Sequence, residues 1–179
     1  MTCAKLTAKT GSSAEMKKTN ILLTMPANVR AGQIIGLVEV TGGLGSPIDV
    51  SRLAYEFGDD IATLLPILDA GEMLGLVKIE RGNVNQTEFG LKFQRTSKHK
   101  IRLLKDQLLK IEPFKTAVEM VSKQGSVSAA EVADALIRKK VRWHHEQEVN
   151  ETLVNGLLIH WAIYAGILNY RSERFQKST

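Results

Sequence analysis

The chain has 179 residues, 44% of them hydrophobic, and carries a formal net charge of +5 at pH 7. That length suits one ordinary domain or two small ones, and the apolar content excludes a disordered protein. The longest apolar stretch, residues 156–168, is shorter than the ~18–20 residues a bilayer span requires and contains His160, so it reads as a buried helix.

The N-terminal residues 1–24 are polar and Lys-bearing and lack the apolar core of a secretory signal, which predicts a flexible tail on a cytoplasmic protein. The single cysteine, Cys3, lies there, so neither an internal disulfide nor a cysteine-rich metal site is expected. Charge is unevenly divided. Residues 1–25 hold four Lys against one Glu, residues 26–97 hold six basic against nine acidic side chains, and residues 98–179 hold fourteen against nine. The basic character therefore belongs to the tail and the second half.

A first module is expected over residues 25–97. Ile34, Ile35, Leu37 and Val38 recur at helical spacing from Arg30 to Val40, and Gly42 and Gly43 are expected to stop that helix. The Gly-, Ser- and Pro-rich stretch that follows reads as a turn. Asp49 then caps a short helix burying Val50, Leu53, Ala54 and Phe57, which Gly58 ends. Asp59 and Asp60 open a third helix with an expected apolar stripe of Ile61, Leu64, Leu65 and Leu68, bent at Pro66. Val77 and Ile79, an Arg-Gly-Asn turn and Val84 then predict a small hairpin.

A second module, residues 98–179, repeats this plan. Residues 98–111 predict an amphipathic helix with Ile101, Leu104, Leu108 and Ile111 inward, broken at Pro113. Phe114, Val118 and Val121 mark a helix stopped by Gly125, and Ser128 with Glu131 has capping-box spacing ahead of Val132, Leu136 and Ile137. A long helix is expected on the stripe Val149, Leu153, Leu157, Trp161, Ala165 and Leu168, followed by a short second hairpin. Residues 45–54 resemble residues 125–133, and residues 74–82 resemble residues 165–173. The fold class read from this is mainly α with small β-hairpins (α+β), as tandem winged-helix-like modules.

Chemistry-bearing motifs are scarce. A phosphate loop needs the GxxxxGK[ST] pattern, and no Gly-Lys pair occurs anywhere in the chain. His144 and His145, if helical, point about 100° apart and do not converge on one ion, while His99 and His160 stand alone. Asp59 with Asp60 and Glu146 with Glu148 sit at helix starts, where capping explains them. Trp143, Trp161 and Tyr164 read as core residues. No catalytic constellation, metal site or cofactor site is expected.

With those residues in view the chain resembles the C-terminal AAA-associated domain family over residues 25–175. The resemblance rests on "MPANVRAGQIIGLVEV", on "LAYEFGDDIATLLPILDAGEMLGLVKIERGNVNQTEFG" and on "NGLLIHWAIYAGILNY". That domain follows the ATPase core of ATP-binding subunits of nitrate-, sulfonate- and bicarbonate-type importers, or occurs as a separate protein. The resemblance implies a non-catalytic accessory module that partners a transport ATPase at the inner face of the membrane, and a homodimer, since such ATPases work in pairs. Winged-helix folds also read DNA, with the third helix in the major groove. Here that helix offers Asp59, Asp60, Thr63, Asp69 and Glu72, and its counterpart opens with Glu146, Glu148 and Glu151, the wrong sign for a polyanion. DNA is therefore the lesser expectation, with Lys78, Arg81 and Asn83 of the wing as its contacts. Arg138, Lys139, Lys140 and Arg142, joined by Lys98, Lys100 and Arg102, are candidates for contact with a protein partner or an anion. A sensor site in the gap between the modules is a third reading.

Overall fold

In the computed structural model, which describes residues 23–98 and 100–178, the element order helix, strand, helix, helix, strand, strand occurs twice. The first set is α1 (Ala31–Leu44), β1 (Ile48–Asp49), α2 (Val50–Phe57), α3 (Ile61–Met73), β2 (Val77–Glu80) and β3 (Asn83–Gln86). A connector follows, made of α4 (Glu88–Arg95), a 3-10 turn (Lys100–Leu104) and α5 (Lys105–Leu108). The second set is α6 (Phe114–Gln124), β4 (Ser126–Val127), α7 (Ala129–Arg138), α8 (Gln147–Leu157) continued by a π-helical turn (Leu158–Ile163), β5 (Leu168–Arg171) and β6 (Arg174–Lys177). The fold is α+β and mainly helical, with two three-stranded antiparallel sheets ordered β1-β3-β2 and β4-β6-β5. The tail through Leu22, including Cys3, and His99 lie outside the described residues.

The repeat holds at the level of single residues. Asp49 caps α2 by accepting from the Ser51 and Arg52 N–H groups, and Ser128 caps α7 in a reciprocal box with Glu131. In the sheets Ile48 and Ile79 flank the buried Val84, as Val127 and Tyr170 flank the buried Phe175. Each hairpin turns through two residues of positive φ, Arg81 and Gly82 in one, Ser172 and Glu173 in the other. The second hairpin is thus as long as the first, contrary to expectation. Its turn has no glycine to announce it.

Other departures have packing causes. Helix α1 runs through Gly42 and Gly43 to Leu44, because Gly42 is where α4 crosses: a Cβ there would lie 2.2 Å from the Gln94 side chain. Helix α4 shows no extended apolar periodicity in the sequence, since it buries only Gly90 and Phe93. Helix α3 contains Pro66 and buries Leu64, Ile67, Leu68, Ala70 and Gly71, not Ile61 and Leu65. A Cβ on Gly71 would come within 2.7 Å of Leu37, so the small Ala-Gly pair is what lets α3 approach α1. Residues 98–111 bury the four expected apolar side chains but form the 3-10 turn and short α5 rather than one helix. In α8 the buried stripe is Asn150, Val154, Leu157, Leu158 and Trp161, because Asn150 takes the core position. Its side chain accepts from the Trp143 and His144 N–H groups and donates to the His144 and Glu146 carbonyls.

One apolar cluster runs through both halves. Leu23 and Met25 pair with Glu112 through backbone bonds of 2.8 and 2.9 Å. The Trp143 and Trp161 indoles donate to the Met25 and Val29 carbonyls at 2.8 and 3.1 Å. Replacing Trp161 by Phe keeps an aromatic ring but orphans the buried Val29 carbonyl. The expected cost is about 1–3 kcal/mol in denaturant unfolding. The Glu131 carboxyl is held below its ordinary value of 4.5, first by the Ser128 N–H and also by the Arg174 guanidinium. A lowered native value stabilises the fold above pH 4.5 and loses that contribution as pH falls toward the native value. The Glu131→Gln variant should therefore lose less stability than the parent between pH 5 and pH 3 in thermal melts, by a fraction of a kcal/mol because water screens these groups.

Candidate functional site

Turning α3 so that Leu64, Ile67 and Leu68 face the core leaves Ile61 and Leu65 on its outer side, 44% and 47% exposed. Tyr55, on the preceding helix, is 82% exposed. The same outer side carries Asp69 and Glu72, which with Leu23 and Met73 line a groove of about 390 Å³. Asp60 caps the helix through the Thr63 N–H at 2.7 Å, and that bond holds its carboxyl below the ordinary range. No Arg or Lys occurs in α3. Helix α8 likewise has none, and its Glu148 and Glu151 line a groove of about 440 Å³ with Thr152, Tyr170 and Glu173.

The wing residues anticipated from the sequence lie on the first hairpin, Lys78 on β2, Arg81 at its turn and Asn83 on β3. Lys78 is ion-paired with Glu80, which raises its pKa. Arg81 is exposed at the turn with φ +51, and Asn83 donates to the Arg81 carbonyl at 3.4 Å. In the second half, Arg138, Lys140 and Arg142 are exposed and have no side-chain partner among the described residues. Lys139 differs. Its Nζ donates to Thr116 Oγ1 at 2.8 Å and lies 3.5 Å from Glu119 and 3.8 Å from the buried Glu112 carboxylate. Glu112 also accepts from the Thr116 N–H, so Lys139 is the counter-ion of a buried acid. Lys100 and Arg102 do not line a cleft with those residues. Lys100 pairs with Glu39 of α1 at 2.9 Å.

Residues 143–146 are not helical, so the 100° argument does not apply to the histidines. The two rings stack, with centroids 4.1 Å apart and planes at 28°, and the ligand atoms of His144, His145 and Glu146 lie within 4.8 Å of one another. Stacking holds the two imidazoles side by side, whereas ligands on one ion converge. His144 Nδ1 is in addition engaged by the Glu146 N–H. Trp161 is fully buried and Trp143 half-buried, whereas Tyr164 is 62% exposed and not a core residue.

Between the halves lies a cleft of about 330 Å³, lined by Ile35 and Glu39 of α1, by Ser97, Lys100, Ile101 and Arg102, and by Tyr164 after the π turn. Ile35 and Tyr164 also line an adjoining recess with Arg30, Gly32 and His160. Of its residues the sequence singled out Lys100 and Arg102, but grouped them with Arg138–Arg142; the lining as a whole comes from three distant stretches.

A family model described as the C-terminal AAA-associated domain matches residues 51–171. The chain belongs to that family. The match begins in α2, so the stretch from Met25 to Val40 lies outside it, while the stretches 53–90 and 155–170 lie inside. No curated protein and no solved structure matches the chain. Membership makes the AAA-associated domain an accessory module of AAA/ABC proteins. Among the described residues no helix is long and apolar enough to cross a membrane.

Lys139→Met should cost this AAA-associated domain about 1–3 kcal/mol, because it removes the counter-ion from the buried Glu112 carboxylate, whose Oε1 has no hydrogen bond among the described residues. Arg138→Ala, Lys140→Ala and Arg142→Ala should each stay within about 0.5 kcal/mol. Urea titrations of the four variants test the difference.

Proposed function

We propose that the chain is a non-catalytic accessory module that acts by protein contact on an ATP-binding subunit of an importer. Each half is read as a winged-helix module whose third helix has been turned from nucleic acid to protein. The observation that carries this reading is the outer side of α3, where Ile61 and Leu65 stand among acidic side chains of a helix that has no Arg or Lys. Exposed apolar anchors inside a charged rim are what a protein-binding patch needs. A groove reader needs the opposite charge, because it neutralises phosphates before it reads bases. The acidic groove beside α8 supports the same view for the second half. The partner surface that fits α3 is apolar at its centre with Lys or Arg around it. The module is read as working on the cytoplasmic side, at the membrane only through its partner.

The test is co-purification of the full chain with the ATP-binding subunit encoded nearest to it, together with its ATPase rate. The Ile61→Asp/Leu65→Asp variant should weaken association tenfold or more, since loss of one interface anchor costs about 2 kcal/mol. Its melting temperature should fall by only a few degrees, because both side chains are nearly half exposed. Failure of the parent chain to associate or to change the ATPase rate would refute the reading. Specific binding of duplex DNA at physiological salt would favour a transcriptional role instead.

A further inference from the structure

The cleft between the two halves brings charged and apolar side chains together. One wall is α1 of the first half, with Ile35 and Glu39, and the other is Tyr164, which follows the π turn of the second half. The Arg102 guanidinium has no hydrogen-bond or ion-pair partner among the described residues, whereas Lys100 is neutralised by Glu39 across the cleft at 2.9 Å. The cleft therefore presents one uncommitted positive charge beside a fixed carboxylate. A singly charged anion suits that balance, since Glu39 and Lys100 cancel each other and Arg102 is left over. Ile35, Ile101 and the exposed Tyr164 ring supply an apolar lining on either side of the charge.

Two further observations point to the same place. The six-residue π turn, Leu158–Ile163, keeps Trp161 and Ala162 in the core and leaves Tyr164 outward at the cleft, and π turns are frequent at functional sites. The volume, about 330 Å³, lies at the lower end of the roughly 300–1,000 Å³ of small-molecule sites. It admits a body of one or two rings.

We infer that this cleft binds a small organic monoanion, a carboxylate on a flat apolar body, with Arg102 holding the carboxylate and Ile35 and Tyr164 enclosing the ring. The site is separate from the α3 face, so its test does not depend on the proposed partner. Amide chemical shifts of the full chain are followed by NMR during titration with sodium benzoate, sodium 2-naphthoate and the neutral benzyl alcohol. The expected result is saturable shifts at Ser97, Arg102, Tyr164 and Gly166 with at least one of the two carboxylates, and binding of benzyl alcohol at least tenfold weaker. Arg102→Gln should weaken carboxylate binding about tenfold or more, the scale of a lost charged hydrogen bond. Tyr164→Ala should weaken the naphthoate complex more than the benzoate complex. The inference falls if neither carboxylate gives saturable shifts, or if benzyl alcohol binds equally well. It also falls if Arg102→Gln lowers the melting temperature but leaves the titration unchanged, since the guanidinium would then serve only the helix end beside Gly166, whose added Cβ would lie 3.8 Å from Arg102 Nε.

Discussion

Both tryptophans of the chain donate their indole N–H to carbonyls of one short stretch, Met25 to Val29, and the rest of the architecture depends on that clasp. An indole nitrogen can only donate, and a buried carbonyl must be met, so each bond answers an obligation on both sides. Val29 leads directly into α1, while Trp161 sits in the third helix of the second half. The first helix of one half is in this way tied to the core of the other, and the apolar cluster is continuous across them. The cleft beside α1 is consequently a fixed gap between two joined units. The same tie fixes where the acidic α3 face stands relative to the Arg138–Arg142 loop.

Much of this organisation was legible in the sequence because local backbone chemistry recurs in it. Gly75 and Gly166 take the same positive φ ahead of equivalent strands, and Asp49 and Ser128 cap equivalent helices. What could not be read were positions where size or polarity inverts the usual rule. Ala70 and Gly71 own the buried side of α3 because they are small, and this displaces the larger Ile61 and Leu65 into solvent. Asn150 holds a core position because four backbone groups of the preceding loop satisfy it, an arrangement no apolar periodicity reveals. The commitment of Lys139 was hidden for a related reason. Its partner Glu112 is buried 27 residues away, and only the fold brings them together. The candidate cleft was still less visible, being assembled from α1, the connector and the π turn.

The two halves illustrate how a repeated scaffold can keep its backbone while its surface changes. The turn between the second and third helices is Gly58, Asp59 and Asp60 in the first half, and in the second it is a longer loop carrying Lys140, Arg142, His144 and His145. The cap of the second helix, the sheet order and the hairpin geometry are shared, because each satisfies backbone groups whatever the outer side chains are. The third helices of both halves contain no Arg or Lys.

The uneven charge of the sequence acquires a spatial meaning once the clasp is in place. Residues 26–97 are net acidic and residues 98–179 net basic, and the two are held in a rigid relation. The body those two stretches form is therefore an electric dipole. An approaching charged surface exerts a torque on such a body before any contact is made, presenting one end preferentially and raising the fraction of productive encounters. Mobile ions shorten the reach of that torque to about a Debye length, ~8 Å at physiological ionic strength.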